Sequence, residues 1–127
     1  MEDQVTTRQL LETYYKGFAV KQGWEQTIAD DFIFSLGGRR GPVIKGKEMY
    51  IGLIKGFYRS YEAVKVKAMM IEPDKACAVA TYTINSIKET QTDFDIAEVW
   101  TIKNNKLSSL TIFYDTVNYN GFIVNGR

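Results

Sequence analysis

Apolar positions follow two rhythms along the first third of the chain. Leu10, Leu11, Tyr14, Tyr15 and Phe18 keep the three-four spacing of an amphipathic helix. Thr6-Thr7-Arg8-Gln9 just before them has the form of a capping box, with Thr6 as N-cap and Gln9 reaching back. The spacing predicts a helix over about Thr7 to Val20, with Leu10, Tyr14 and Phe18 facing the core. Gly23 interrupts it, and Trp24 to Ala29 reads as a short second helix ended by Asp30-Asp31. The rhythm then drops to two. Phe32, Phe34 and Leu36 fall on one side of a strand. Gly37-Gly38-Arg39-Arg40-Gly41-Pro42 is a loop or turn, and Val43-Ile44 a brief edge strand.

A third helix is predicted from Gly46 to about Tyr61, with Met49, Leu53, Ile54 and Phe57 inward. Gly52 and Gly56 each cost such a helix up to ~1 kcal/mol relative to alanine. Four residues apart on one face, they allow either a close approach or simply spare stability. The remainder reads as strands: Val64 to Ile71, Ala76 to Ile87, Asp93 to Lys103 and Leu107 to Asn118. The connections are the turn Glu72-Pro73-Asp74-Lys75, the polar stretch Lys88 to Thr92, and Asn104-Asn105. Consecutive hairpins make a mostly antiparallel sheet, and helices followed by a meander make the α+β class.

Length and composition narrow this further. With 127 residues, 45% hydrophobic and 24% charged, the chain suits a single domain with one core, spanning residues 1–127. Sixteen basic against fifteen acidic residues, with no long basic stretch, give no electrostatic case for nucleic acid. No apolar run approaches the ~18 residues of a membrane span. One cysteine, Cys77, precludes an internal disulfide, and the opening Met1-Glu2-Asp3-Gln4 is unlike a signal peptide; a cytoplasmic protein is expected. The chain has no histidine. That removes Ser-His-Asp and Cys-His systems, histidine metal sites and the commonest general base. No cofactor and no metal are expected.

One residue stands out. On the strand Asp93 to Lys103, one face carries Phe94, Ile96, Glu98, Trp100 and Ile102, and Glu98 is the single charge in an apolar row. A carboxylate placed there must be hydrogen-bonded, paired or held neutral, because burying it bare costs several kcal/mol. A raised pKa would let it donate a proton or hydrogen bond near neutral pH. The competing reading is a structural glutamate bonded to a tyrosine or a cation, or held at a dimer interface. Tyr14, on the inward helix face, needs a partner for its hydroxyl and pairs naturally with Glu98, although core packing alone also accounts for it. Asp115, after Phe113-Tyr114, is a third candidate, set against a solvated strand-end carboxylate. Cys77 reads as an inert core residue and Met69-Met70 as packing.

Several segments resemble SnoaL-like proteins of the nuclear transport factor 2-like superfamily. They are Gly23-Trp24-Glu25 with Ala29-Asp30-Asp31-Phe32-Ile33-Phe34, then Gly46-Lys47-Glu48. The closing segments are Ala97-Glu98-Val99-Trp100-Thr101-Ile102, Asn104-Asn105-Lys106-Leu107 and Phe113-Tyr114-Asp115-Thr116. The likeness covers about residues 5–118, leaving 119–127 as a tail. It implies a cone-shaped α+β barrel, with N-terminal helices on a curved sheet, an apolar pocket at the open end and commonly a homodimer. The pocket's candidate lining is Phe18 from the first helix, Phe34 and Leu36 from the first strand, Leu53 and Phe57 from the third helix, and Tyr82, Trp100 and Ile112 from the later strands.

The ketosteroid isomerases of that superfamily use a helix tyrosine, a neutral acid on the penultimate long strand and an aspartate base after the first strand. Tyr14 and Glu98 fall on or beside the first two positions, but the third falls at about Leu36, which takes no proton. The histidine-aspartate arrangement of some polyketide cyclases is absent. No equivalent of the epoxide hydrolases' Arg-Asp pairing stands around Asp93-Phe94-Asp95. Two functions follow as expectations. One is a pocket, binding or enzymatic, for a small apolar polyketide-, steroid- or terpenoid-like molecule, whose oxygen Tyr14 and Glu98 would hydrogen-bond. If catalytic, the chemistry would be of isomerase, lyase or hydrolase type. The other is a non-catalytic homodimeric interaction domain, with Asp95, Thr101 and Thr111 on its sheet surface and a cavity plugged by Trp100, Phe34 and Phe57.

Overall fold

The computed structural model describes residues 6–37, 43–85 and 91–114. Helix α1 (Thr7–Ala19) begins at the expected capping box. Gln9 N–H donates to Thr6 Oγ1 at 3.1 Å, and Thr6 N–H to Gln9 Oε1 at 2.9 Å. Its buried face is wider than one row, since Leu11 and Tyr15 are covered as fully as Leu10, Tyr14 and Phe18. The next helix is a single 3-10 turn, Trp24–Thr27, entered through Gly23 at φ 95°. Strand β1 (Ile28–Leu36) starts there, so Asp30-Asp31 lie within the strand rather than ending a helix. Both are exposed. β2 (Val43–Lys45) is the expected edge strand.

Helix α2 (Lys47–Phe57) ends sooner than expected and is rotated. Tyr50 and Ile54 face the core, whereas Met49 is 62% exposed. The i, i+4, i+7 row of Tyr50, Ile54 and Phe57 sets the inward face. Gly52 and Gly56 look into open space, and no close approach uses them. Gly17 is the opposite case. A Cβ there would lie 2.5 Å from the Trp24 nitrogen and 2.8 Å from the Gln22 carbonyl oxygen, so α1 can fold back onto the 3-10 turn only with glycine at that point.

The strands β3 (Tyr61–Ile71), β4 (Lys75–Asn85), β5 (Gln91–Lys103) and β6 (Lys106–Tyr114) form an antiparallel meander. Sheet order is β2-β1-β6-β5-β4-β3, with β1 parallel to β6, and the sheet is curved, with both helices packed on one face. Asn104 and Asn105, both at positive φ (53° and 61°), make the two-residue turn from β5 to β6. On the inner face β4 carries Ala76, Ala78 and Ala80, opposite Trp100, Glu98 and Ile96 of β5. These small residues leave room for the aromatic rings that fill the core: Tyr14, Tyr15 and Phe18 from α1, with Trp24, Phe32 and Trp100. Cys77 alternates to the outer face and is half-buried there, not in the core. Met69 packs against the core, whereas Met70 is 62% exposed. Among the described residues no helix is long and apolar enough to cross a membrane.

The three glycines make a paired prediction. Gly17→Ala should destabilise the protein by ~1–3 kcal/mol, because backbone atoms must move. Gly52→Ala and Gly56→Ala should each stabilise it by up to ~1 kcal/mol, because helix propensity improves with nothing to clash. Chemical denaturation of the three variants checks both signs, and equal effects at all three positions would contradict the packing described.

Candidate functional site

Between α1, α2 and the inner sheet face lies a cavity of about 240 Å³. Its wall is almost wholly apolar. Phe18, Phe34, Leu36, Leu53, Phe57, Tyr82 and Ile112 line it, joined by Ile44, Ile54, Ile96 and Leu110. Leu53 sits at the rim, 41% exposed. Trp100 does not reach the wall. It is fully buried, with its ring edge-on to Tyr14 (4.7 Å between centroids) and to Tyr15. Phe34 and Phe57 bound the space without filling it.

Glu98 lies on this wall, 4% exposed, on the inner face of β5. Its partners are two tyrosines. Tyr15 Oη donates to Glu98 Oε1, and Tyr82 Oη donates to Oε2 at 2.9 Å. Trp100 Nε1 in turn donates to Tyr15 Oη at 3.1 Å. Tyr14 is not a partner of Glu98. Its hydroxyl pairs with that of Tyr50 at 2.6 Å, and both rings line the same cavity. Helical geometry explains the exchange. Residues 14 and 15 are 100° apart on α1, and with the inward face spread over both rows it is Tyr15 that stands over β5 and Tyr14 that turns toward α2.

Burial lifts the Glu98 carboxyl to about 7, against the two tyrosine hydrogen bonds, which pull the other way. No lysine or arginine lines the cavity among the described residues, so no cation offsets the burial. Burial also raises the phenols of Tyr14, Tyr15 and Tyr82 well above 10. The second cause is Tyr50 for Tyr14 and the Glu98 charge for the other two. Burial raises Tyr50 likewise. Near neutral pH the site therefore offers neutral phenols and one carboxyl poised between its two forms. It can donate and accept hydrogen bonds to an oxygen-bearing molecule in dry surroundings.

Glu98, the one charge in the apolar row of β5, lies on the cavity wall, and Tyr15 and Tyr50, which the sequence pattern did not single out, bond within the same cluster. Their signals were present: Tyr15 stands four residues after Leu11, and Tyr50 four before Ile54. Leu36, at the place of a family base, is part of the apolar wall. Asp115, the basic pair Arg39-Arg40 and the tail 119–127 lie outside the described residues.

No family model matches the sequence, and no curated protein does. Solved structures match it closely in shape. An NTF2-like protein of unknown function from Burkholderia pseudomallei superposes with TM-score 0.81 at 14% identity, over 91% of this chain and 95% of that one. A candidate SnoaL-like polyketide cyclase from Jannaschia sp. CCS1 gives 0.77 at 15% identity, over 97% and 96%. TerC co-crystallised with polyporic acid gives 0.76 at 15% identity, over 89% and 94%. Two helices packed on a six-stranded, mostly antiparallel curved sheet make an α+β fold like that of the NTF2-like neighbours, and this chain has that fold.

Proposed function

We propose that the protein binds a small, largely apolar molecule carrying a carbonyl or hydroxyl oxygen, in the cavity beside Glu98. The observation that carries this reading is an apolar space with one ionisable carboxyl on its wall, held by two tyrosine hydroxyls and, among the described residues, by no cation. A structural glutamate has no need of a cavity. The volume of about 240 Å³ exceeds the ~150 Å³ that accepts benzene and falls below the ~300 Å³ at the lower end of ordinary ligand sites. A fused two-ring or monoterpenoid-sized ligand suits it better than a four-ring steroid. TerC, of the same fold, was co-crystallised with a small organic molecule, polyporic acid, which supports a ligand-holding role. If the bound molecule reacts, Glu98 is the group to donate a proton to a carbonyl or to steady an enolate-like charge.

We also propose that the protein is a homodimer. On the outer face of the sheet Ile33, Val99 and Phe113 are each more than a third exposed. Around them, on the same face, stand Asp95, Thr101 and Thr111. An apolar centre with polar surroundings suits a subunit contact. An interaction role without a ligand finds less support, because Trp100 leaves the cavity open rather than plugging it.

Three measurements test these readings. Screening two-ring ketones and phenols by thermal shift should find stabilisers, and Ile112→Trp, which fills the cavity, should weaken their binding at least ~10-fold while the protein stays folded. A filled cavity that binds as before would remove the ligand reading. Folding stability should also depend on Glu98. An unfolded chain releases this proton near 4.5 and the folded one near 7. The folded state thus holds more protons in between, so this contribution is complete below about pH 4.5 and is lost as pH rises through 7. The loss amounts to roughly 3 kcal/mol. Urea titrations of wild type and Glu98→Gln across that range should differ in slope, and parallel curves would contradict the buried carboxyl. Finally, Val99→Lys should yield a monomer by sedimentation; a wild type that sediments as a monomer rules out the dimer.

A further inference from the structure

The two tyrosines that hold Glu98 are not equivalent. Tyr15 Oη accepts from Trp100 Nε1, so its own proton is committed to Glu98 Oε1. Tyr82 Oη makes a single hydrogen bond among the described residues, the one to Oε2 at 2.9 Å. Its ring and Glu98 both line the cavity. When Glu98 is ionised, both hydroxyls donate to it, and its spare lone pairs are the acceptors offered to the cavity. A proton added to the carboxyl is best accommodated on Oε2, because Tyr15 is fixed as a donor to Oε1 by its bond from Trp100 and Tyr82 has no such second partner among the described residues. Oε2–H then donates to Tyr82 Oη, and the Tyr82 hydroxyl turns its proton away. Tyr82 Oη has no second hydrogen bond among the described residues, and the cavity its side chain lines is the space into which that proton can turn.

We propose that Glu98 and Tyr82 form a proton-operated selector on the cavity wall: ionised, the pair accepts a hydrogen bond from a hydroxyl-bearing ligand; protonated, Tyr82 donates one to an acceptor-only ligand such as a ketone. Above the changeover a ketone is therefore bound together with one proton taken from solvent; below it the protein already holds that proton. This rests on the ligand-holding reading above and adds which oxygen chemistry the site takes at a given pH. The other groups facing Glu98 do not perform the switch. Tyr14 and Tyr50, from α1 and α2, are paired with each other and stay protonated throughout. Tyr15, from α1, is held by Trp100, and Tyr114 of β6 lines the same cavity. No basic side chain lines it among the described residues. The rise of the Glu98 carboxyl to about 7 puts the changeover near neutrality.

Three naphthalenes test the proposal by calorimetry between about pH 5.5 and 8.5: 2-acetylnaphthalene (acceptor only), 2-naphthol (donor) and 2-ethylnaphthalene (neither). The ketone's affinity should fall by about 10-fold per pH unit above 7, and buffers of differing ionisation heat should show close to one proton taken up at about pH 8.5 and close to none at about pH 5.5. The hydrocarbon should be flat, and naphthol should lose less than the ketone. Glu98→Gln should bind the ketone at pH 8.5 as tightly as wild type does at pH 6, because its amide N–H donates permanently to Tyr82. Tyr82→Phe should erase the ketone's advantage over the hydrocarbon. If the hydrocarbon binds but the ketone shows no pH dependence and no proton uptake, or Tyr82→Phe binds it unchanged, the selector is overturned and the cavity reading stands. If none of the three binds, the cavity reading fails and the selector with it.

Discussion

A carboxyl group set in an apolar interior, with no cation beside it among the described residues, is the constraint on which the site depends. Leaving Glu98 charged and unpartnered would cost several kcal/mol, and the structure answers with hydroxyl donors rather than a salt bridge. Phenols suit the task. Each brings a large apolar ring that fills core volume and one short donor at its tip. Neither donor carries charge, so the carboxyl is stabilised without being fixed as an anion. A lysine in either place would have held Glu98 ionised at all ordinary pH.

The supporting shell follows from the same requirement. Ala78 sits opposite Glu98 on β4, and Ala76 and Ala80 flank it, so the rings above find space. Tyr15 is steadied by Trp100, which is itself edge-on to Tyr14. Tyr14 then reaches Tyr50 of α2. A continuous set of aromatic groups thus links both helices to the middle of the sheet, and the cavity is what remains between them. Gly17 permits the fold-back that brings Trp24 beneath α1, adding another ring beside Tyr14 and Phe18.

How much of this could be read from the residues varies with the kind of signal. The capping box at Thr6, the alternation on β5 and the Asn104-Asn105 turn are local, and local chemistry determines each of them, so they were legible. Glu98 stood out because period-two alternation puts a side chain on a known face. The helices were harder. A 100° step separates Tyr14 from Tyr15 and Met49 from Tyr50, and a sequence alone does not say how wide the buried stripe is. That depends on what packs against it, here the shallow alanine strip on β4. Hydroxyl pairings are harder still, because they need two elements in register. The placement of Trp100 behind the wall, rather than in it, is likewise a property of packing depth, which alternation does not encode. Cys77 was misjudged for a simpler reason: neighbours of similar polarity hid that it alternates outward.

The strand order has a consequence for how the protein comes into being. β1 lies beside β6, with Phe34 level with Leu110 and Leu36 with Ile112, and all four residues bound the cavity. The hollow therefore has no closed wall until a segment some seventy residues downstream has been synthesised and has threaded in next to β1. Such long-range pairing is slow, since the chain loses the entropy of a large loop before it gains the contact. Until β6 takes its place, Phe34 and Leu36 of β1 lack the partners that cover them on that side, a condition that favours aggregation of incomplete chains.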